Sequence, residues 1–149
     1  MPVTKEEVAE AVRQLYAAMH TRDIQTIIAM AAQAGGFGFR AWARRDYAAH
    51  GEGAYVQLLE QFYDQMDYYR LELEDLKTSV TGDIGLAWGV HIEEFQEKGY
   101  PPERARVRFS KVLTKGAQGW QVLLYHRDIQ PFTDAGRYPK TLTGVSPDH

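Results

Sequence analysis

The sequence predicts an α+β domain, with helices in the first half of the chain and an antiparallel meander in the second. Apolar residues recur at helical spacing from Val8 to Met19 and from Tyr55 to Tyr69. From Leu71 to Phe132 they alternate instead, broken by Gly82-Asp83, by Glu97-Lys98-Gly99-Tyr100-Pro101-Pro102 and by the turn Lys115-Gly116-Ala117-Gln118-Gly119. Helices followed by a run of strands, with no alternation of the two, is an α+β order. A strongly curved sheet wrapped around a helix leaves an apolar cavity between them, the default place for a small molecule.

The first helix starts at a capping box, Thr4-Lys5-Glu6-Glu7, and carries the stripe Val8, Val12, Leu15 and Met19 with Tyr16 beside it. Asp23 caps a second helix that buries Ile24, Ile27, Ile28 and Ala31 and ends at Gly35-Gly36. A short strand is expected over residues 37–42, then a loop through His50 that holds Trp42, Arg44, Arg45 and Tyr47 and covers part of the molecule or is simply solvated. The third helix spans residues 54–69, with Tyr55, Leu58, Leu59, Phe62, Met66 and Tyr69 on one side. Tyr55, Phe62 and Met66 are candidates for a pocket wall, and core packing is the plainer alternative.

In the meander, Ile84, Leu86, Trp88, Val90 and Ile92 alternate with Gly85, Ala87, Gly89, His91 and Glu93. The small residues of the second set let another element pack closely. In the last strand, Trp120, Val122, Leu124, His126 and Asp128 point one way, and Gln121, Leu123, Tyr125 and Arg127 the other. The first face is apolar at one end and reactive at the other, as a pocket wall would be. The plainer alternative leaves His126 and Asp128 solvated at a strand end. Apolar residues on both faces predict that a second copy covers the outer one, giving a homodimer.

A chain of 149 residues suits one domain, here residues 1–132, followed by a Gly/Pro-rich tail over 133–149. The net charge of −3 gives no basic field for nucleic acid. With no cysteine, disulfides, thiolate metal sites and cysteine nucleophiles are excluded. The five histidines show no short ligand spacing, so neither a metal nor another cofactor is expected. His91 and His126 meet across the sheet or, more ordinarily for a lone strand histidine, each takes a hydrogen bond. No stretch reads as a signal peptide or a membrane span, which makes a cytoplasmic protein the default.

Gly82-Asp83-x4-Trp88, Arg108-x-Ser110 and Gly119-Trp120-x5-His126-x-Asp128 carry a resemblance. From Glu6 to Phe132 the chain resembles the SnoaL-like branch of the nuclear transport factor 2-like superfamily, which includes ketosteroid isomerases, polyketide cyclases and limonene epoxide hydrolases. Asp128 stands where that branch usually has a serine. The resemblance implies a cone-shaped α+β barrel of cystatin-like fold, usually dimeric through its sheet, with a pocket at the open end.

Members that are enzymes use carboxylates or histidines in an apolar cavity as general acid or base. Carried onto this chain, His126 and Asp128 are the catalytic candidates. Arg108 would orient an oxygen, and Tyr16 would be the tyrosine of an isomerase. Trp88, Ser110, Trp120 and Leu124 join Trp42, Tyr55, Phe62 and Met66 around the ligand, with Trp88 and Trp120 mostly buried. No second acid clearly faces the cavity, and Arg108-x-Ser110 lacks the aspartate of an epoxide hydrolase. Two readings stay open. One is a cofactor-independent isomerase, cyclase or lyase acting on a hydrophobic carbonyl compound. The other is a non-catalytic binding or accessory protein using the same pocket.

Overall fold

The computed structural model describes residues 2–30, 52–117 and 119–131. Among the described residues three helices, α1 (Lys5–Thr21), α2 (Ile24–Ala29) and α3 (Glu52–Asp64), precede four strands. These are β1 (Met66–Thr81), β2 (Ile84–Glu97), β3 (Glu103–Gly116) and β4 (Gly119–Pro131). They form one curved antiparallel sheet in the order β1-β2-β3-β4, with the helices on its inner face. The expected strand over 37–42, the loop bearing Trp42, the Gly35-Gly36 stop and the tail over 133–149 lie outside the described residues.

α1 begins as its sequence requires. The Thr4 hydroxyl accepts from the Glu7 N–H and the Glu7 carboxylate accepts from the Thr4 N–H, both at 3.2 Å. Val8 and Val12 are fully buried on the sheet side, with Leu15 and Tyr16 next to them. The chain turns through Arg22 in the left-handed region, and Asp23 caps α2 by accepting from the Thr26 N–H.

The inner face of β2 is the small one. Gly85 exists for α1: a Cβ built there would lie 2.6 Å from a Val8 methyl. Because Gly85, Ala87 and Gly89 face the helices, His91 and Glu93 on the same face are carried into the core, 0% and 4% exposed. Trp88 points the other way. It is 41% exposed rather than buried, while Trp120 is half-buried on the inner face.

Among the described residues the sheet has three register shifts, one at Asp67 near the start of β1 and two further β-bulges that set the remaining faces. In β1, Leu73 pairs with His91 but Asp75 with Val90, so Glu74 is the extra residue. The inward set therefore switches from Tyr69, Leu71 and Leu73 to Leu76, Thr78 and Val80. In β4, Val122 pairs with Leu113 but Leu124 with Val112, leaving Leu123 extra. Beyond it every side chain changes face. Tyr125 and Arg127 turn inward, and Leu124, His126 and Asp128 turn outward to exposed positions. The strict alternation read from the sequence fails at this single residue.

The third helix also ends earlier than its apolar spacing suggests. It stops at Asp64, and Met66 and Tyr69 belong to β1, where Tyr69, Leu71 and Leu73 already follow a period of two. Among the described residues no helix is long and apolar enough to cross a membrane.

Candidate functional site

Between α3 and the sheet lies a cavity of about 680 Å³, within the size range of small-molecule sites. Leu58 and Phe62 come from α3, Met66 and Tyr69 from β1, Phe95 from β2 and Ile129 from β4. The Phe62 and Tyr69 rings meet edge to face, centroids 5.1 Å apart. Set into this mainly apolar wall are Glu93 and Arg127, brought together because β2 and β4 both turn those positions inward.

Glu93 is the hub of a buried polar network. Arg127 Nη1 lies 3.1 Å from its Oε1, and Nη2 donates to Oε2 at 3.2 Å. Oε1 also accepts from the Tyr69 hydroxyl at 3.3 Å and from His91 Nε2 at 2.9 Å. On the far side of the imidazole, Nδ1 meets the Tyr16 hydroxyl at 2.5 Å. A carboxylate only accepts, so His91 carries its proton on Nε2, and Nδ1 accepts from Tyr16. Burial, foremost, pushes Tyr16 and Tyr69 well above the usual phenol range, which keeps both hydroxyls protonated donors.

The ionisation of the hub follows from opposed effects. Burial of Glu93 favours its neutral form, but the His91 hydrogen bond and the Arg127 charge outweigh it, and the carboxyl is held below its ordinary value. Burial of His91 is stronger than the help it receives from Glu93, so the imidazole is held below its ordinary value and stays neutral. Behind it, Lys111 is 3% exposed, its ammonium 3.4 Å from the Tyr125 ring centroid.

These two shifts fix a pH dependence. The unfolded chain protonates His91 near 6.5 and the folded chain only at lower pH, so stability falls as pH drops below about 6.5. The Glu93 contribution is complete above 4.5 and is lost as pH falls through its lower folded value. The melting temperature is expected to decline from pH 7 to pH 5, and less steeply in His91→Gln. Identical profiles for the two proteins would contradict the neutral buried imidazole.

A SnoaL-like domain model matches residues 8–129, most of the chain. The protein belongs to the SnoaL-like family. Solved structures with the same fold include a nuclear transport factor 2-like superfamily protein from Salmonella enterica serovar Typhimurium, 13% identical, TM-score 0.68, covering 87% of this chain and 92% of that one. A ketosteroid isomerase-like protein from Erwinia carotovora atroseptica is 16% identical, TM-score 0.65, over 84% and 95% of the two chains. The CaMKII hub of S. rosetta is 18% identical, TM-score 0.65, over 87% and 99%. No curated protein matches. At these identities the structures establish the NTF2-like, cystatin-like fold.

Within the SnoaL-like fold, the residues singled out from the sequence divide between two faces. Phe62 and Met66 line the cavity. Tyr16 lies behind it, reaching Glu93 only through His91, and its ring borders a shallow groove beside α1 instead. Arg108, Ser110, His126 and Asp128 are exposed on the outer sheet face, where Ser110 pairs with His126 and Arg108 forms an ion pair with Asp128. Trp88 and Leu124 share that face. The expected position of His126 and Asp128 in the cavity is thus corrected, and the cause is the extra residue Leu123. His91 does take hydrogen bonds, but it does not meet His126, which lies across the sheet on the other side. Trp42 and the Tyr55 side chain lie outside the described residues.

Of the cavity residues, sequence reasoning singled out Phe62 and Met66 alone; it left Leu58 to core packing and missed Glu93, Arg127, Phe95, Ile129 and the rest of the wall. For Glu93 a signal existed. The small residues Gly85, Ala87 and Gly89 mark their face as the packed one, and Glu93 lies on it. Among the described residues no group of three or more His, Asp or Glu side chains is arranged to hold a metal.

Proposed function

We propose that this SnoaL-like protein binds a neutral, largely apolar or aromatic small molecule in the cavity, with an oxygen of the ligand held by Arg127 and Glu93. The observation that carries the reading is a buried carboxylate–guanidinium pair set in an otherwise mostly apolar wall. A guanidinium has five N–H donors, and Arg127 directs two nitrogens to Glu93, so donors remain for a carbonyl oxygen. Among the described residues Oε2 of Glu93 accepts from Arg127 alone, which leaves it capacity for a ligand hydroxyl. Glu97, Glu103 and Arg104 also line the cavity, so its wall carries three carboxylates against two guanidiniums, and an anionic ligand would meet a net negative wall, which disfavours it.

The test is a thermal-shift series of neutral arenols and cyclic ketones against matched carboxylates. A ligand at 100 times its Kd adds about 2.7 kcal/mol of stability. Neutral members are expected to raise the melting temperature, and Phe62→Ala, which removes the ring packed on Tyr69, to weaken their binding about tenfold. A series in which only the carboxylates stabilise, or none of the compounds does, would rule the reading out.

A second reading, acid–base catalysis without a cofactor, is favoured by the adjacency of a carboxylate and a donor-bearing cation. Glu93 would take a proton from the carbon beside a carbonyl, and Arg127 would hold the oxygen on which charge develops. This role passes to Glu93 from His126 and Asp128, which face away. A general base works best with a pKa near the working pH, and Glu93 is held below the ordinary carboxyl range. Binding is therefore the stronger of the two readings.

The outer sheet face fits a second copy of the chain. Trp88 and Leu124 are 41% and 48% exposed there, in cross-strand rows with Ser110 and His126 and with Leu86 and Val112. Sedimentation at high micromolar concentration is expected to give a dimer, and Trp88→Glu with Leu124→Lys a folded monomer. A monomeric native chain would end the proposal.

A further inference from the structure

We infer that His91 and Tyr16 are positioning residues for the cavity carboxylate: the Tyr16 hydroxyl anchors the imidazole through Nδ1, and the imidazole holds Glu93 with Oε1 filled and Oε2 offered to a ligand. The inference rests on reading the cavity as the ligand site. Neither His91 nor Tyr16 lines that cavity, so neither is a contact residue in its own right. Both are buried, and their geometry is directional. The hydroxyl leads to Nδ1, Nε2–H leads to Oε1, and Glu93 is the end of the chain that reaches the cavity.

The asymmetry of the carboxylate is the central observation. Oε1 meets three donors, from His91, Tyr69 and Arg127, while Oε2 meets one, from Arg127. Rotating the carboxylate would break the contacts of Oε1 in a place where water does not replace them. The oxygen with spare capacity is therefore fixed in space before a ligand arrives, and a site organised in advance loses less on binding. The ion pair with Arg127 neutralises Glu93 but touches both oxygens, so it does not by itself choose between them. The choice comes from His91 and Tyr69.

The groups that act on this centre come from every element packed against it. Tyr69 stands on β1, His91 on β2, and Tyr125 and Arg127 on β4; Lys111 on β3 and Tyr16 on α1 act on the imidazole. Loss of the His91 N–H removes one of the influences that keep the carboxyl ionised, so the role leaves a signature in the titration of Glu93 that simple core packing would not.

The experiment is a carboxyl-¹³C NMR titration of the full chain, with Glu93 assigned by its absence in Glu93→Gln. It compares the wild type with His91→Leu, His91→Gln and Tyr16→Phe. The affinity of each for 2-naphthol, a neutral arenol, is read by fluorescence at pH 7. The Glu93 midpoint is expected to move to higher pH in His91→Leu, to move the same way by less in Tyr16→Phe, and to return towards wild type in His91→Gln, whose amide both donates and accepts. Binding of 2-naphthol should weaken about tenfold in His91→Leu and stay within about threefold in His91→Gln. Should His91→Leu fail to fold, Tyr16→Phe, which loses a single oxygen, decides the matter. An unmoved Glu93 midpoint in the folded variants overturns the inference. A midpoint that moves while 2-naphthol fails to bind the wild type sustains the positioning role and removes the proposed ligand class.

Discussion

Replacing Arg127 by methionine is expected to lower stability by about 3–5 kcal/mol, the cost of leaving one member of a buried ion pair uncompensated. Glu93 is 4% exposed and its Oε1 and Oε2 lie 3.1 and 3.2 Å from the guanidinium. With the cation gone, the His91 and Tyr69 hydrogen bonds remain, but a negative charge stays on a nearly buried carboxylate. For a chain of this length the loss corresponds to a melting temperature lower by roughly 10 °C. The sign of the partner experiment is the sharper test. Glu93→Gln combined with Arg127→Met removes both charges and should recover a large part of the stability, because the single variant suffers mainly from the orphaned carboxylate. Denaturant unfolding of the two variants checks both statements. If the single variant loses less than about 1 kcal/mol, the pair is solvated and the description of the site fails.

Gly89→Ala is expected to be nearly as costly, about 3 kcal/mol, with no polar group involved. A Cβ at position 89 would lie 1.9 Å from the Asp75 carbonyl oxygen, which is backbone and has no rotamer to retreat into. The contact arises from the bulge at Glu74, which brings the β1 backbone over β2 where Leu76 pairs with Gly89. Gly85→Ala makes a useful contrast. There the near atoms are Val8 methyls, and the side chain or the helix is able to give a little. The expected order of stability is wild type, then Gly85→Ala, then Gly89→Ala. A Gly89→Ala protein with wild-type melting temperature would show that the bulge lies elsewhere.

Most of the architecture was legible in the chain. The capping box at Thr4, the Val8–Val12–Leu15 stripe and the Asp23 cap each announce a feature through one local interaction, and the structure has all three. The meander was legible for the same reason, since its turns carry glycine where φ is positive, at Gly82 and Gly119.

The faces of the strands were less so. In Val122-Leu123-Leu124-Tyr125 both faces are apolar, so no polar residue marks the position where the period slips. That slip moved His126 and Asp128 out of the cavity and Arg127 into it. In β1 the expected alternation passed over a mark of the slip: the inward set runs Leu71, Leu73, Leu76, Thr78, Val80, and the step of three from Leu73 to Leu76 is where the bulge lies. The end of α3 was obscured because Met66 and Tyr69 satisfy a helical period and a strand boundary at once. Glu93 was hidden by its neighbour Glu94, since two adjacent acids resemble a solvated stretch. The small residues Gly85, Ala87 and Gly89 on the face of Glu93, closely packed on α1 at Gly85 and on the β1 backbone at Gly89, are what mark it as the buried one.

Methyl NMR with 2-naphthol distinguishes the proposed ligand site in the α3–sheet cavity from one on the outer face. Leu58, Met66 and Ile129 carry methyl groups on cavity residues, while Leu124 and Val112 carry theirs on the outer face. Saturable shifts are expected at Leu58, Met66 and Ile129 with Leu124 and Val112 unmoved. Shifts confined to Leu124 and Val112 would contradict this expectation and return the site to the face that bears His126 and Asp128.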